Sequence, residues 1–360
     1  MKKGLIFILV AMLAFSLVAC GGGGDSDTSG GTKVGVSMPT QSLQRWNQDG
    51  AYMKEKLEEA GYEVELQFAN DEPSMQVSQL ENMVASDCQV LVVSAIDSEV
   101  LSTVLTDAID KGISVIAYDR LIMGNVKVSY YATFDNWLVG RMQGEYIETA
   151  LDLKNADGPF NIELFTGSPD DNNINFFFGG AMEVLQPYVD SGKLVVLSDQ
   201  TDKLQVATEG WKSENAQKRM EDLIMAQGYG PKGTKLDAVM CSNDSTAQGV
   251  TTALAAAGYT AENFPIITGQ DCDKPSVINM LNGQQSMSVF KDTRTLAARV
   301  VLMVDAIMKG ETPEINDEKT YSNDSGVIPS FLCDPVVCTV DNIQEILVDS
   351  GYYKPEDIGL

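Results

Sequence analysis

Short β-rich runs alternate with segments of helical apolar spacing along most of the chain, and this alternation limits the possible fold more than any other feature. The run KVGVSM at 33–38 has the composition of a strand. Apolar residues at helical spacing follow from Arg45 to Ala60, and Gly61 then ends the predicted helix. The same unit repeats to residue 290. It predicts βαβ units around parallel sheets with helices on both faces.

The number of strands argues for more than one sheet. About ten strands are predicted, which is near the upper limit of one open sheet. We therefore expect an α/β protein of two similar lobes. The helix predicted at 293–308 and the polar stretch that follows it complete one of the lobes, and periodicity does not say which.

The first 31 residues have the features of an export and anchoring segment. Lys2 and Lys3 precede a mostly apolar run at 5–19, which has the length of a signal-peptide core. The sequence LVAC at 17–20 then resembles a bacterial lipobox. We expect a signal peptide at 1–19, a lipidated Cys20 and a Gly-rich tether up to residue 31, with the protein anchored outside the cytoplasm. The alternative is an ordinary secretory signal followed by a chance cysteine.

Charge and composition disfavour several functions. The chain has 25 basic and 51 acidic residues and no histidine. This acidity disfavours nucleic-acid binding, and the lack of histidine excludes Ser/His/Asp triads and histidine-containing zinc sites. No segment matches the calcium loop of an EF-hand. We expect neither a metal nor a cofactor.

Polar side chains follow several predicted strands. Asp119 and Arg120 follow one strand, TGSPDDNN at 166–173 follows another, and SND at 242–244, QD at 270–271 and KD at 291–292 follow three more. Ligands of open α/β sheets bind beyond the carboxyl ends of the strands. Mixed carboxylates, amides and cations suit sugar hydroxyls, with tryptophan available for the apolar face of a pyranose. The alternative is that these residues are turn formers and helix N-caps, as we expect for Asp135 and Asp244.

Five cysteines remain after Cys20. Cys333 and Cys338 could close a small loop, but their close spacing around Pro335 would strain a disulfide. Their redox state is left open by the sequence.

Several segments together resemble a known family. They are MPTQSLQRWNQDG, SQLENMV, VIAYDRLI, YYATFDNWLVG, NIELFTGSPDDNN, the run Pro187 to Val195, CSNDSTAQG, TGQDCDKPSV and VFKDTR. From Val34 to Tyr353 the chain resembles the D-xylose-binding and multiple-monosaccharide-binding proteins of bacterial ABC transporters, which have the type I solute-binding fold with a three-strand hinge. The resemblance implies chain crossings near 133–136, 291–293 and 327–331. It implies an N-terminal lobe of 32–134 plus 292–327 and a C-terminal lobe of 135–291 plus 328–360.

The resemblance also implies a set of ligand residues. The polar residues that match sugar ligands of the family are Arg45, Asp119, Arg120, Asn173, Asn243, Asp271 and Lys291. Trp211 matches a tryptophan that packs on the sugar ring, and Trp46 is a second candidate aromatic contact. Phe178 departs from the xylose-specific branch, which has an arginine there. Phe178 in the cavity wall would favour several aldopyranoses; the alternative is that it faces the core of a lobe.

The expected function is capture of a monosaccharide such as xylose, glucose, galactose or arabinose between two lobes. A monomeric, non-enzymatic receptor of this kind would deliver the sugar to the permease of an ABC importer. One alternative is a sugar sensor, as in chemotaxis, that presents its ligand-bound form to a membrane receptor. Another is a carbohydrate-active enzyme with paired carboxylates.

Overall fold

The computed structural model describes residues 32–360. The predicted signal peptide, Cys20 and the tether lie outside the described residues. Within the described range, no helix combines the length and the apolar composition that a membrane crossing requires.

The first lobe is built around a six-stranded parallel sheet, in which a late strand at 330–333 forms one edge beside the strand at 130–134. Its first eight elements are β1 (Lys33–Met38), α1 (Gln44–Glu59), β2 (Glu63–Phe68), α2 (Pro73–Ala85), β3 (Val90–Val93), α3 (Ser102–Asp110), β4 (Ser114–Tyr118) and β5 (Tyr130–Phe134).

The second lobe contains a four-stranded parallel sheet with the order β7-β6-β8-β9. Its elements in chain order are α4 (Asn136–Ala150), β6 (Phe160–Phe165), α5 (Ile174–Asp190), β7 (Leu194–Val195), α6 (Ser213–Gln227), β8 (Ala238–Cys241), α7 (Asp244–Ala256), β9 (Ile266–Ile267), α8 (Lys274–Leu281) and β10 (Ser288–Phe290).

The chain then returns to the first lobe and leaves it again. The remaining elements are α9 (Thr293–Met308), β11 (Ser322–Asn323), β12 (Gly326–Val327), β13 (Ser330–Cys333) and β14 (Val336–Cys338), followed by a π-helical segment at Gln344–Asp349. Helix α9 packs on α1, which answers the question that periodicity left open.

Alternation along the central strands explains why helices cover both faces of each sheet. In β3, Leu91 and Val93 belong to the core on one face, and Val90 and Val92 belong to the core on the other. In β8 the same alternation sends successive residues to two separate cores. Strands buried on both faces are the expected result for parallel sheets, and the predicted α/β architecture is confirmed.

Three crossings join the two lobes. The chain passes from β5 to α4 at 134–136 and from β10 to α9 at 290–293. The third crossing lies at 333–336, because β13 pairs in parallel with β5 while β14 pairs antiparallel with β10. It therefore follows the expected range of 327–331 by several residues, since 330–333 contribute a strand to the first sheet.

Helix N-caps follow the expectation in part. Asp135 caps α4 by accepting a hydrogen bond from the amide of Leu138. At α7 the expectation that Asp244 is the cap is wrong: Asn243 accepts from the amide of Thr246, and Asp244 is buried one position later. The described cysteines, including Cys333 and Cys338, are buried free thiols.

Candidate ligand-binding site

A cavity of about 410 Å³ lies where the carboxyl ends of strands from both lobes meet. Apart from Phe178, every residue that the sequence singled out for ligand contact lines this cavity: Arg45, Trp46, Asp119, Arg120, Asn173, Trp211, Asn243, Asp271 and Lys291.

Arg45 is the electrostatic centre of the cavity. It lies in the first turn of α1 and is 6% exposed. Its Nη2 is 2.9 Å from Asp119 Oδ1, its Nη1 donates to Asp271 Oδ1 at 3.2 Å, and its Nε donates to Asp49 Oδ2 at 3.2 Å. Burial alone would lower the pKa of Arg45, but the three carboxylates outweigh it and hold the pKa well above its usual value. A permanently charged guanidinium therefore joins carboxylates of both lobes.

Asp49 holds Arg45 in position through the ion pair between them. It is fully buried and also accepts a hydrogen bond from the hydroxyl of Tyr118 at the end of β4. Burial raises the pKa of Asp49 to about 6, against the opposing effect of Arg45. Asp49 was not among the predicted site residues, although its spacing of four residues from Arg45 on one helix was a usable signal.

Lys291 adds a second cation between the same two carboxylates. It follows β10, and its Nζ is 2.9 Å from Asp271 Oδ1 and 3.8 Å from Asp119 Oδ1. Burial would raise the pKa of Asp119, but Arg45 and Lys291 outweigh burial and hold this pKa below its usual value. Asp119 is therefore an ionised acceptor at neutral pH.

Arg120 makes a similar set of contacts and also lies against Trp46. Its Nε is 3.1 Å from Asp171 Oδ2, and its Nη1 donates to the carbonyl of Ala95 at 3.1 Å. The guanidinium carbons of Arg45 and Arg120 lie 4.5 and 5.1 Å from the Trp46 ring centroid. Burial raises the pKa of Asp171. Asp171 also lines the cavity, and only its place in the DDNN run pointed to it.

Asn173 supports the backbone of Asp119. Asp119 has a φ of 58°, in the left-handed region that side chains other than glycine rarely adopt. Its carbonyl accepts hydrogen bonds from Asn173 Nδ2 at 2.8 Å, the Tyr131 hydroxyl at 2.6 Å and the Thr133 hydroxyl at 3.0 Å. Three donors on one carbonyl stabilise the strained conformation that directs the Asp119 carboxylate.

Trp211 forms one wall of the cavity and is 4% exposed. The Ser245 hydroxyl donates to its carbonyl at 2.6 Å, and Phe177 packs against its ring edge to face. The ring lies directly against Gly167, where a Cβ atom would overlap it. Glycine at 167 is therefore what lets the ring occupy this position.

Phe178 requires a correction. It does not line the cavity but packs half-buried against the core around Leu185 and Ile162 of the second lobe. Its neighbour Phe177 lines the cavity instead. Successive residues of a helix point about 100° apart, so only one of the two can face the cavity. The expectation that Phe178 forms the ligand wall is wrong.

Several buried polar atoms of the cavity residues form no hydrogen bond with any residue of 32–360. They are Trp46 Nε1, Trp211 Nε1, Gln270 Oε1 and Asp273 Oδ1. Buried polar groups are nearly always hydrogen-bonded, so this concentration indicates a surface prepared for a polar ligand. Donors and acceptors alternate with aromatic rings, which suits a molecule with several hydroxyl groups and an apolar face.

Comparison with known proteins agrees with this geometry. Residues 34–312 match the family model described as a periplasmic binding protein domain. A multiple sugar-binding periplasmic protein of Azospirillum brasilense is 49% identical over 89% of this chain and 89% of its own length. The D-xylose-binding periplasmic protein of Escherichia coli is 35% identical over 91% of this chain and 92% of its own length.

A solved structure is similar along nearly the same range. It is an ABC transporter solute-binding protein of Clostridium phytofermentans with bound β-D-glucose, 57% identical, covering 91% of this chain and 100% of that chain with a TM-score of 0.88. The resemblance and the fold expected from the sequence are thus confirmed, and the chain belongs to the periplasmic binding protein family, together with these sugar-binding relatives.

Proposed function

We propose that the protein captures a monosaccharide between its two lobes outside the cytoplasm and delivers it to an ABC-type importer. The observation that carries this proposal is the group of Arg45, Asp119, Asp271 and Lys291, which brings acidic and basic side chains of both lobes to one cavity. Proteins of this family act by binding, so the carboxylates serve as hydrogen-bond acceptors rather than as an acid and a base of hydrolysis.

The side chains of the cavity divide the recognition of a sugar between them. The carboxylates of Asp119 and Asp271 accept hydrogen bonds from hydroxyls, and the cations beside them donate to hydroxyl oxygens. Trp211 covers an apolar face of the ring. Each of these bonds replaces one that the sugar made with solvent, and the complete set determines affinity.

An aldopyranose is the ligand that the relatives favour. The Clostridium phytofermentans protein contains β-D-glucose, and the relative of 49% identity is named as binding multiple sugars. The D-xylose-binding relative is more distant, at 35% identity. We therefore propose that the protein accepts glucose, galactose, xylose and arabinose. This breadth rests on the relatives and no longer on Phe178.

The lobe boundaries are part of the proposal. We assign 32–134 and 292–333 to the N-terminal lobe, which extends the expected boundary at 327 through β13. The C-terminal lobe then contains 135–291 and 334–360. A hinge motion at the three crossings opens the cavity for entry and closes it over the sugar.

Attachment to the membrane through a lipid on Cys20 and a monomeric state complete the proposal. The sequence LVAC at 17–20 supports the anchor, and the Gly-rich tether that follows would let the body reach its permease. A second candidate function is presentation of the sugar-bound form to a membrane sensor. It is favoured by a relative of 47% identity from Rhizobium radiobacter that is named a multiple sugar-binding periplasmic receptor.

A thermal-shift panel tests the proposal. The fragment 32–360 forms one compact unit, and its melting temperature is measured with glucose, galactose, xylose and arabinose at equal concentrations. A sugar present at 100 times its Kd stabilises the folded state by about 2.7 kcal/mol. Asp271→Ala is the matched control, because general stabilisation by added sugar raises its melting temperature equally. Equal shifts of wild type and Asp271→Ala with all four sugars would contradict the proposal.

A further inference from the structure

We propose that Asp273 is a further ligand-contacting residue, which donates a hydrogen bond from its carboxyl group to an oxygen of the bound sugar. This inference rests on the proposed sugar-binding function and adds to it a contact that the sequence did not indicate. Asp273 lines the main cavity and also a neighbouring groove of about 1020 Å³. It therefore lies between the cavity and the groove that Gln44, Lys212 and Gln248 line.

The side chain of Asp273 does not make the hydrogen bond to a helix amide that its position offers. Asp273 occupies the N-cap position of α8, yet its carboxyl group makes no capping hydrogen bond. The N-cap residues Asp135 and Asp292 each accept a hydrogen bond from an amide of the helix that follows. Aspartate at an N-cap ordinarily does so because capping stabilises the helix. Asp273 forgoes this stabilisation, which indicates that its carboxyl group has a different role.

Burial makes the missing partner significant. Asp273 is 7% exposed, and its Oδ1 forms no hydrogen bond with any residue of the described range 32–360. A buried carboxyl oxygen without a partner is costly in a folded protein. The cost is removed when a ligand hydroxyl or ring oxygen occupies the space beside it.

A hydrogen bond from its backbone amide holds Asp273 in its uncapped conformation. Its amide donates to Asp244 Oδ2 at 2.9 Å, and Asp244 Oδ1 in turn accepts from Gln285 Nε2 and the Ser288 hydroxyl, both at 2.9 Å.

The backbone just before Asp273 is strained. The two preceding residues, Asp271 and Cys272, have φ values of 97° and 52°. Strained residues of this kind cluster at binding sites, where the surrounding structure enforces them.

The groups around Asp273 decide whether it donates or accepts. Asp271 on its own loop and Asp244 at the start of α7 are acidic, Arg45 of α1 and Lys291 after β10 are cationic, and Tyr353 lies beside it. Burial and then the charge of Asp271 raise the pKa of Asp273 to about 7, although Arg45 and Lys291 oppose them. The carboxyl group is therefore protonated below neutral pH and can donate its proton to a ligand oxygen.

The direction of the pH effect follows from this protonation. A ligand that accepts from the neutral carboxyl binds best below pH 7, and its affinity falls as the pH rises and Asp273 ionises. Between pH 6 and pH 8.5 we expect the affinity of the wild-type protein for the sugar to fall on the order of tenfold.

The test is calorimetric titration with D-glucose at pH 6 and pH 8.5. Asp273→Ala should bind about tenfold more weakly than wild type at pH 6, because it lacks the donor. Asp273→Asn keeps a donor that does not titrate, so it should bind within about threefold of wild type at pH 6 and lose the pH dependence. Asp202→Ala is the control, since Asp202 accepts a hydrogen bond from the amide of Leu204 in an exposed surface turn.

Melting of the sugar-free variants separates a contact from a structural role. Because the carboxyl group caps nothing and is buried without a partner, Asp273→Ala should melt no lower than wild type. Wild-type affinity of Asp273→Ala would remove Asp273 from the site. An unchanged pH dependence in Asp273→Asn would contradict the donor role. A wild-type protein that binds none of the four sugars would overturn the proposed function, and this inference with it.

Discussion

The side-chain amide of Asn173, at the start of α5, donates a 2.8 Å hydrogen bond to the backbone carbonyl of Asp119, which follows β4. The two residues come from different lobes, and the bond reaches the residue whose backbone is in the left-handed region. Asn173 thus contributes to the site through the conformation of Asp119 as well as through its own place in the cavity wall.

Asn173→Ala should weaken sugar binding by about 2 kcal/mol, because it removes a donor that fixes the Asp119 carbonyl and leaves the Tyr131 hydroxyl with one acceptor fewer. Calorimetry with D-glucose measures the change. Asn155→Ala, which removes an exposed side chain bonded to Asp152, should leave affinity unchanged. Equal affinities of the two variants would show that the Asp119 loop keeps its shape without Asn173.

Asp119→Ala should cost about 2 to 5 kcal/mol of binding, because it leaves charged donors of the cavity without one of their acceptors. Stability should fall much less, since Arg45 and Lys291 retain Asp271. Affinity is measured by calorimetry and stability by thermal melting. The control is Asp305→Ala, which breaks a surface ion pair with Lys309. Unchanged affinity of Asp119→Ala would remove Asp119 from the ligand set.

Two adjacent phenylalanines should give opposite results. Phe177→Ala removes a cavity wall and the packing partner of Trp211, so sugar affinity should fall about tenfold. Phe178→Ala truncates a half-buried core side chain, so it should lower stability by about 2 kcal/mol and leave the ratio of glucose to xylose affinity unchanged. A changed ratio in Phe178→Ala would restore the original assignment of Phe178 to the cavity.

Gly167→Ala should displace the Trp211 ring, because the added methyl group would overlap it. We expect sugar affinity, measured by calorimetric titration with D-glucose, to fall about tenfold or more. Gly230→Ala is the matched control, since its nearest neighbour beyond the adjacent residues would be 3.9 Å from the new Cβ. Wild-type affinity of Gly167→Ala would mean that the ring is not required where it lies.

The anchor is tested by Cys20→Ala in the full-length chain. If Cys20 carries a lipid, the wild-type protein should fractionate with membranes, and the variant should be released or stall in processing. Mass spectrometry of the mature N-terminus measures the modification directly. Equal membrane retention of both proteins with a lipid-free N-terminus would contradict the lipobox interpretation.

The sequence predicted the architecture because a parallel sheet covered on both faces leaves a strong pattern of buried strands and amphipathic helices. It predicted most of the cavity residues for a related reason: Asp119, Asn243 and Asp271 each follow a strand, and parallel topology brings those ends together. The sequence therefore predicts those site residues that lie at strand ends.

The sequence did not predict features that depend on the direction of one side chain or on very short strands. Phe178 differs from Phe177 only by one helical step, and a motif aligned without coordinates does not resolve such a step. The third crossing was misplaced because β13 and β14 are only 4 and 3 residues long and follow no alternating pattern. Asp273 was not among the predicted site residues, because the sequence does not show that its carboxyl group leaves α8 uncapped.

The ion pairs of Arg45 have a consequence for how selective the protein can be. Arg45 belongs to the first lobe and contacts Asp271 of the second at 3.2 Å, so part of the attraction that holds the lobes together comes from the protein itself. A sugar then needs to supply only the remainder of the closing free energy. If the lobes close over the sugar as proposed, a ligand that lacks one hydroxyl group would still leave the closed conformation populated. The ion pair between Arg45 and Asp271 would then help to set how many sugars the protein tolerates.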